Sequence, residues 1–129
     1  MTKRPALKLV VSGGRTYSDE GYVAFVMKKY QKLAKDQGKI LVVTQGGARG
    51  LDTLVRNWCK AHGVPCCTWD ALWDFYGNAA GPVRNGWMVE FMEQTHGFVF
   101  PGDTGTADMK KKMAVHGLAV ETYEEHPND

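Results

Sequence analysis

The sequence predicts a doubly wound α/β domain: one mostly parallel, five-stranded sheet with helices on both faces. Three observations carry this. Short apolar or β-branched runs alternate with helical segments of about ten or more residues, the spacing that parallel strands need for right-handed crossovers. Three of the strand runs end in glycine-containing turns. A chain of 129 residues suits one core rather than two, so residues 1–129 are expected to form a single domain with a frayed tail over 124–129.

Leu7 to Ser12 reads as a buried first strand, ended by Gly13-Gly14, residues that tolerate positive φ. A helix follows from Ser18 or Asp19. It sets Val23, Val26, Met27, Tyr30, Leu33 and Ala34 on one face and Lys28, Lys29, Lys32 and Lys35 on the other, and stops at Gly38. Ile40 to Thr44 is the second strand. After the turn Gly46 to Gly50, a helix turns Leu51, Leu54, Val55, Trp58 and Cys59 inward and closes at Gly63. Val64 to Thr68 is the third strand, and Trp69 to Gly81, with no clean period, reads as a long loop holding at most one short helical turn. Pro82 suits the first turn of the next helix, whose apolar stripe is Val83, Trp87, Met88, Phe91 and Met92. Gly97 to Phe100 is the fourth strand, Pro101 to Thr106 a glycine turn, Ala107 to His116 a helix ended by Gly117, and Leu118 to Thr122 the last strand.

The net charge of +2 hides an asymmetry. Residues 1–60 hold twelve Lys/Arg against four Asp/Glu, and residues 61–129 four against ten. The basic residues are spaced along a helix rather than clustered with aromatics, which favours a solvated helix face over a nucleic-acid surface. Cys59, Cys66 and Cys67 show neither CxxC nor zinc spacing, so no metal site is expected. With Cys66 and Cys67 in a strand, they read as buried thiols of a protein in a reducing cytoplasm. The N-terminal apolar run, broken by Lys8, is too short for a signal peptide or a membrane span. His62, His96 and His116 precede glycines and read as cations near helix C-termini.

In an open parallel sheet the connections leaving the strands emerge on one edge, and ligands bind where neighbouring crossovers diverge. The segments at 12–15, 45–50, 69–85 and 101–106 converge there. Absent side chains let amides approach an oxyanion, and a following helix adds its positive end, so these glycine turns suit the phosphate of a nucleotide-like ligand. Neither GxxxxGK[ST] nor GxGxxG occurs, which removes support from ATP hydrolysis and from NAD-linked hydride transfer. Arg15, Arg49 and Arg84 are the anion-gripping candidates, Arg49 foremost because Gly47, Ala48 and Gly50 frame it. Arg15 has a local capping or pairing role as its alternative. Asp52 either orients Arg49, holds a ribose hydroxyl, or is an ordinary first-turn acid. Thr104 and Thr106 suit both capping the last helix and donating to phosphate. Asp108 is a first-turn acid, a ribose acceptor or a weak general base, with Glu90 a less direct candidate. Lys110 to Lys112 read as a solvated charge run.

The stretches VSGGRTYSD (11–19), QGGARGLD (45–52), the run from Trp73 through Tyr76, Gly77, Ala80, Gly81 and Pro82 to Arg84-Asn85 and Met88, and FPGDTGTADM (100–109) together resemble the YspA-like, YpsA-related branch of the SLOG superfamily. These are Rossmann-like proteins related to the LOG enzymes, which cleave the N-glycosidic bond of cytokinin nucleoside monophosphates. The resemblance implies binding or sensing of a nucleotide or nucleotide-derived ligand, as in relatives of phage and bacterial conflict systems, and a homodimer, for which the aromatic-rich 69–92 segment offers surface, although Trp69, Trp73, Phe75 and Trp87 equally suit roofing the ligand or filling the core. It implies phosphate on Gly102, Thr104, Gly105 and Thr106, a cleft shaped by Gly13, Gly14 and the Gly46 to Gly50 turn, Arg84-Asn85 within the motif, and Arg84 at the position of a catalytic-site arginine. The alternatives are an N-glycosidic hydrolase using Asp108 or Glu90 with Arg84, and a nucleic-acid-binding accessory protein. Two departures weigh against hydrolysis or alter the site. Asp103 stands where the phosphate turn usually has glycine, and Met109 stands where LOG enzymes carry a glutamate. No cofactor is expected.

Overall fold

The computed structural model describes residues 5–124; from residue 125 on, the tail expected to fray lies outside them. The strands are β1 (Ala6–Ser12), β2 (Ile40–Gln45), β3 (Cys66–Thr68), β4 (His96–Val99) and β5 (Ala119–Thr122). The helices are α1 (Glu20–Asp36), α2 (Leu51–His62), a single turn α3 (Trp73–Tyr76), α4 (Ala80–Glu90) and α5 (Thr104–Val115). The sheet order is β3-β2-β1-β4-β5, and all four pairings are parallel. The chain winds outward from β1 to β3, then crosses back to lay β4 on the other side of β1. That reversal is the doubly wound architecture the alternating pattern predicts, and it opens a crevice beyond the carboxyl ends of β1 and β4.

Strand alternation divides the core. Leu7, Leu9 and Val11 of β1 face one way, into a cluster with Val23, Val26, Met27 and Tyr30 of α1 and Leu51, Val55 and Cys59 of α2. Val10 faces the other way, into a smaller cluster with Met88 and Val89 of α4, Val99, and Met109 and Met113 of α5. Two helices thus cover each face. Burying such side chains contributes roughly 1.5–3 kcal/mol apiece, which fixes the strand ends as a rigid rim for the loops.

Several boundaries differ from expectation for local reasons. Asp19 caps α1 by accepting from the Tyr22 amide at 3.0 Å. Val64 is not yet strand, because its amide donates to the Cys59 carbonyl and closes the end of α2. β3 lies at the sheet edge, so Cys66 and Cys67 are half-buried rather than buried. The 69–81 segment contains α3 and a 3-10 turn at Gly77–Ala79. α4 begins two residues before Pro82 and buries Ala80, Gly81, Asn85, Met88 and Val89. Its inward face is therefore rotated from the expected stripe, and Phe91, beyond the helix, is 63% exposed. α5 starts at Thr104, three residues early, because Asp103 supplies its cap. His96 opens β4 and bonds Thr95 rather than ending a helix, whereas His62 and His116 do bond the carbonyls of the last helical turns. Among the described residues, no helix is long and apolar enough to cross a membrane.

Candidate functional site

Three turns meet at the carboxyl edge. The Gly14 amide donates to the Pro101 carbonyl at 2.8 Å, and the Leu51 amide donates to the Gly14 carbonyl at 3.2 Å. Gly102 sits so close to Thr106 and to the Gly14 amide that a Cβ there would collide with both. Gly50 packs on the Gly14 and Arg15 backbone in the same way. Gly14, Gly50 and Gly102 therefore join the turns to one another instead of lining the cleft between them.

The 45–50 turn is built from within. Asp52, 7% exposed, accepts from the Gly46 and Ala48 amides through Oδ2, each at 3.2 Å. Gln45 Oε1 accepts from the Gly47 amide at 2.6 Å, and its Nε2 donates to the Thr68 hydroxyl. Three successive amides of this glycine turn are thus bound by the protein's own side chains. Arg84 fastens the turn to α4: Nη1 donates to the carbonyls of Gly46 (2.5 Å) and Trp69 (3.2 Å), and Nε to Asn85 Oδ1 (3.1 Å). Asp52 Oδ1 is buried with no hydrogen-bond partner. Burial pushes the Asp52 carboxyl up to about 6, opposed by the two amides and by the nearby Arg84 charge. Arg84 in turn is lowered chiefly by burial, with Asp52 counteracting.

The cleft has two lobes. One, of about 550 Å³, is lined by Arg15, Arg49 and Arg84, with Asp70, Trp73 and the 46–48 backbone. The other, of about 300 Å³, shares Arg15, Arg84, Ala48 and Trp73 and adds Asp52, Asn85, Asp103, Asp108 and the Thr104–Thr106 turn. The Arg15 guanidinium stands 5.9 Å from the centre of the Trp73 ring.

Most of the sequence-derived candidates line these lobes: Gly13, Arg15, Gly46, Gly47, Ala48, Arg49, Asp52, Arg84, Asn85, Thr104, Gly105, Thr106 and Asp108. Glu90, the exposed last residue of α4, lines neither. Asp52 binds turn amides rather than orienting Arg49. The cap of α5 is Asp103, whose Oδ1 accepts from the Gly105 amide at 3.2 Å, and not a threonine. Lys112 is not part of a solvated run: it bridges both oxygens of Asp108 at 2.6 and 2.7 Å, and Asn85 donates to the same carboxylate at 3.0 Å. Trp73 lines both lobes, whereas sequence reasoning passed over Gln45 and Asp70 as shaping or lining residues. For Gln45 the signal was present, a long polar side chain within a β-branched strand that must find partners once buried. Phe75, 78% exposed, fills no core.

A parallel sheet in this order, with a polar cleft at its reversal point, defines a Rossmann-like α/β protein. Residues 7–76 match the YspA, cpYpsA-related SLOG family, and the chain belongs to that family. The match includes the 11–19 and 45–52 stretches. No curated protein matches the chain.

Proposed function

We propose that the chain binds a nucleotide-derived ligand in the two-lobed cleft and retains it intact, acting as a binding or sensing module. SLOG membership supports a nucleotide-type ligand. The observation that carries retention over hydrolysis is the state of Asp108. Both its oxygens are held by Lys112, one also by Asn85, and the neighbouring Met109 is buried in the core. A carboxylate engaged in this way is a poor base for water, and glycosidic cleavage ordinarily needs a pair of carboxylates flanking the bond. A nucleic-acid role finds less support. On the basic face of α1, Lys29 pairs with Glu121 and Lys32 with Asp36.

The ligand-binding residues in this reading are Arg15, Arg49, Arg84, Asn85 and Asp52. A homodimer belongs to the same reading, with exposed Leu72 and Phe75 at its contact; a monomeric mass by sedimentation equilibrium would remove that part. Near-stoichiometric protein incubated with a panel of nucleoside monophosphates, cyclic nucleotides and ADP-ribose, then separated from free ligand, tests the function. One ligand recovered intact with the protein is the expected result. Release of base or sugar phosphate that disappears in Asp108→Asn would make the chain a hydrolase instead.

A further inference from the structure

Resting on that reading, we infer that the ligand's anionic group is gripped by arginine side chains in the larger lobe and not by the α5 turn around Thr104. The ligand's uncharged, donor-rich part then faces the smaller, acidic lobe.

Four amides of the glycine turns are already used. Gly46 and Ala48 donate to Asp52, Gly47 to Gln45, and Gly105 to Asp103. At the start of α5, the position a phosphate would take near the helix's positive end already carries the Asp103 carboxylate. A phosphate there would have to displace a tethered anion and sit close to it.

The charges of the two lobes point the same way. The larger is lined by Arg15, Arg49 and Arg84 against Asp70 alone. The smaller has Asp52, Asp103 and Asp108 against the shared Arg15 and Arg84. None of the three arginines forms a salt bridge among the described residues. Arg84 spends Nη1 and Nε on the protein and leaves Nη2 without a hydrogen bond there. Guanidinium groups grip phosphate through paired hydrogen bonds without needing backbone amides. In the smaller lobe, Asp52 Oδ1 is a buried acceptor without a partner, and such an atom is best satisfied by a hydroxyl or amino donor. The two lobes therefore select a phosphoester whose other end carries hydroxyl or amino groups, such as a nucleoside phosphate bound with its sugar toward Asp52.

Calorimetric titration of the wild type, Arg15→Ala, Arg49→Ala and Thr104→Ala tests this, with nucleoside monophosphates, the matching nucleosides and inorganic pyrophosphate as probes. Arg15 and Arg49 are exposed, so their removal should leave the thermal midpoint unchanged. Each arginine variant is expected to lose at least about tenfold in nucleotide affinity and to bind nucleoside like the wild type, while Thr104→Ala stays within about twofold. Nucleotide affinity lost in Thr104→Ala and kept in both arginine variants would overturn the assignment and leave nucleotide binding standing. If no nucleotide binds, the proposed function fails, and pyrophosphate decides the rest. Arginine-dependent pyrophosphate binding sustains the anion lobe, and its absence overturns it as well.

Discussion

The side chain of Arg84 crosses the backbone of Gly46, with Nη1 donating to the Gly46 carbonyl at 2.5 Å where a Cβ on residue 46 would collide with that nitrogen. The contact ties α4 to the turn after β2 and holds one wall common to both lobes. Gly46→Ala is therefore expected to push Arg84 off the Gly46 and Trp69 carbonyls, costing roughly 1–3 kcal/mol in urea unfolding and weakening nucleotide binding. In an Arg84→Ala background the same substitution should cost much less, because the clash is gone. Equal costs in both backgrounds would mean that the alanine acts on the turn itself.

Asp52 makes stability depend on pH in a direction opposite to that of most paired carboxylates. Its carboxyl is raised to about 6 in the folded chain by burial, whereas an unfolded aspartate titrates near 3.9. Between those values the folded state holds more protons than the unfolded state, so this group's contribution falls as pH rises through about 4 to 6 and is level above that window. The difference amounts to about 2–3 kcal/mol. Asp52→Asn keeps an oxygen for the Gly46 and Ala48 amides without the charge. The stability of wild type minus that of Asp52→Asn, measured from pH 3.5 to 8, should drop across this window; a curve that rises instead would show Asp52 to be held below the ordinary carboxylate range.

Asp103 sets helix stability against anion binding. As cap of α5 it satisfies the Gly105 amide, and Asp103→Ala should cost about 1 kcal/mol, or roughly 4 °C in Tm. The same change removes a negative charge from the smaller lobe and so weakens the repulsion felt by a phosphate held at the shared Arg15 and Arg84. Nucleoside monophosphate affinity should therefore rise while Tm falls. A loss of affinity would show that the carboxylate itself takes part in binding.

The sheet was legible because each strand run is short, apolar and followed by a turn, and the order of turns brings the cleft residues to one edge. The face of α4 was not. Its sequence offers Val83, Trp87 and Phe91 as an apolar series, yet the helix buries Gly81 and Asn85, since Asn85 is needed to bond Asp108 and the Gly105 carbonyl. A polar residue buried for its hydrogen bonds defeats a reading based on hydrophobic period. The occupied amides were equally hidden. Glycine turns on a sequence advertise free donors, and only coordinates show Asp52, Gln45 and Asp103 folding back onto them.

The sheet-edge position of β3 gives Cys66 a chemistry that its strand context alone does not suggest. The neighbouring thiol of Cys59, buried in α2, lowers Cys66 below the ordinary thiol range despite partial burial, with Gln45 Nε2 at 3.9 Å and the Arg56 charge assisting; Cys59 itself is pushed up. Iodoacetamide labelling of Cys66 in a Cys67→Ser background should show a midpoint below the ordinary thiol value of about 8.5. Cys59→Ala should move that midpoint up by about a unit or more, because the neighbouring thiol is lost, while Cys59→Ser, which puts a hydroxyl in its place, should hold it closer to the original. If Cys59→Ala leaves the midpoint in place, the thiolate is stabilised by Arg56 and Gln45 instead, and Arg56→Ala becomes the substitution that shifts it.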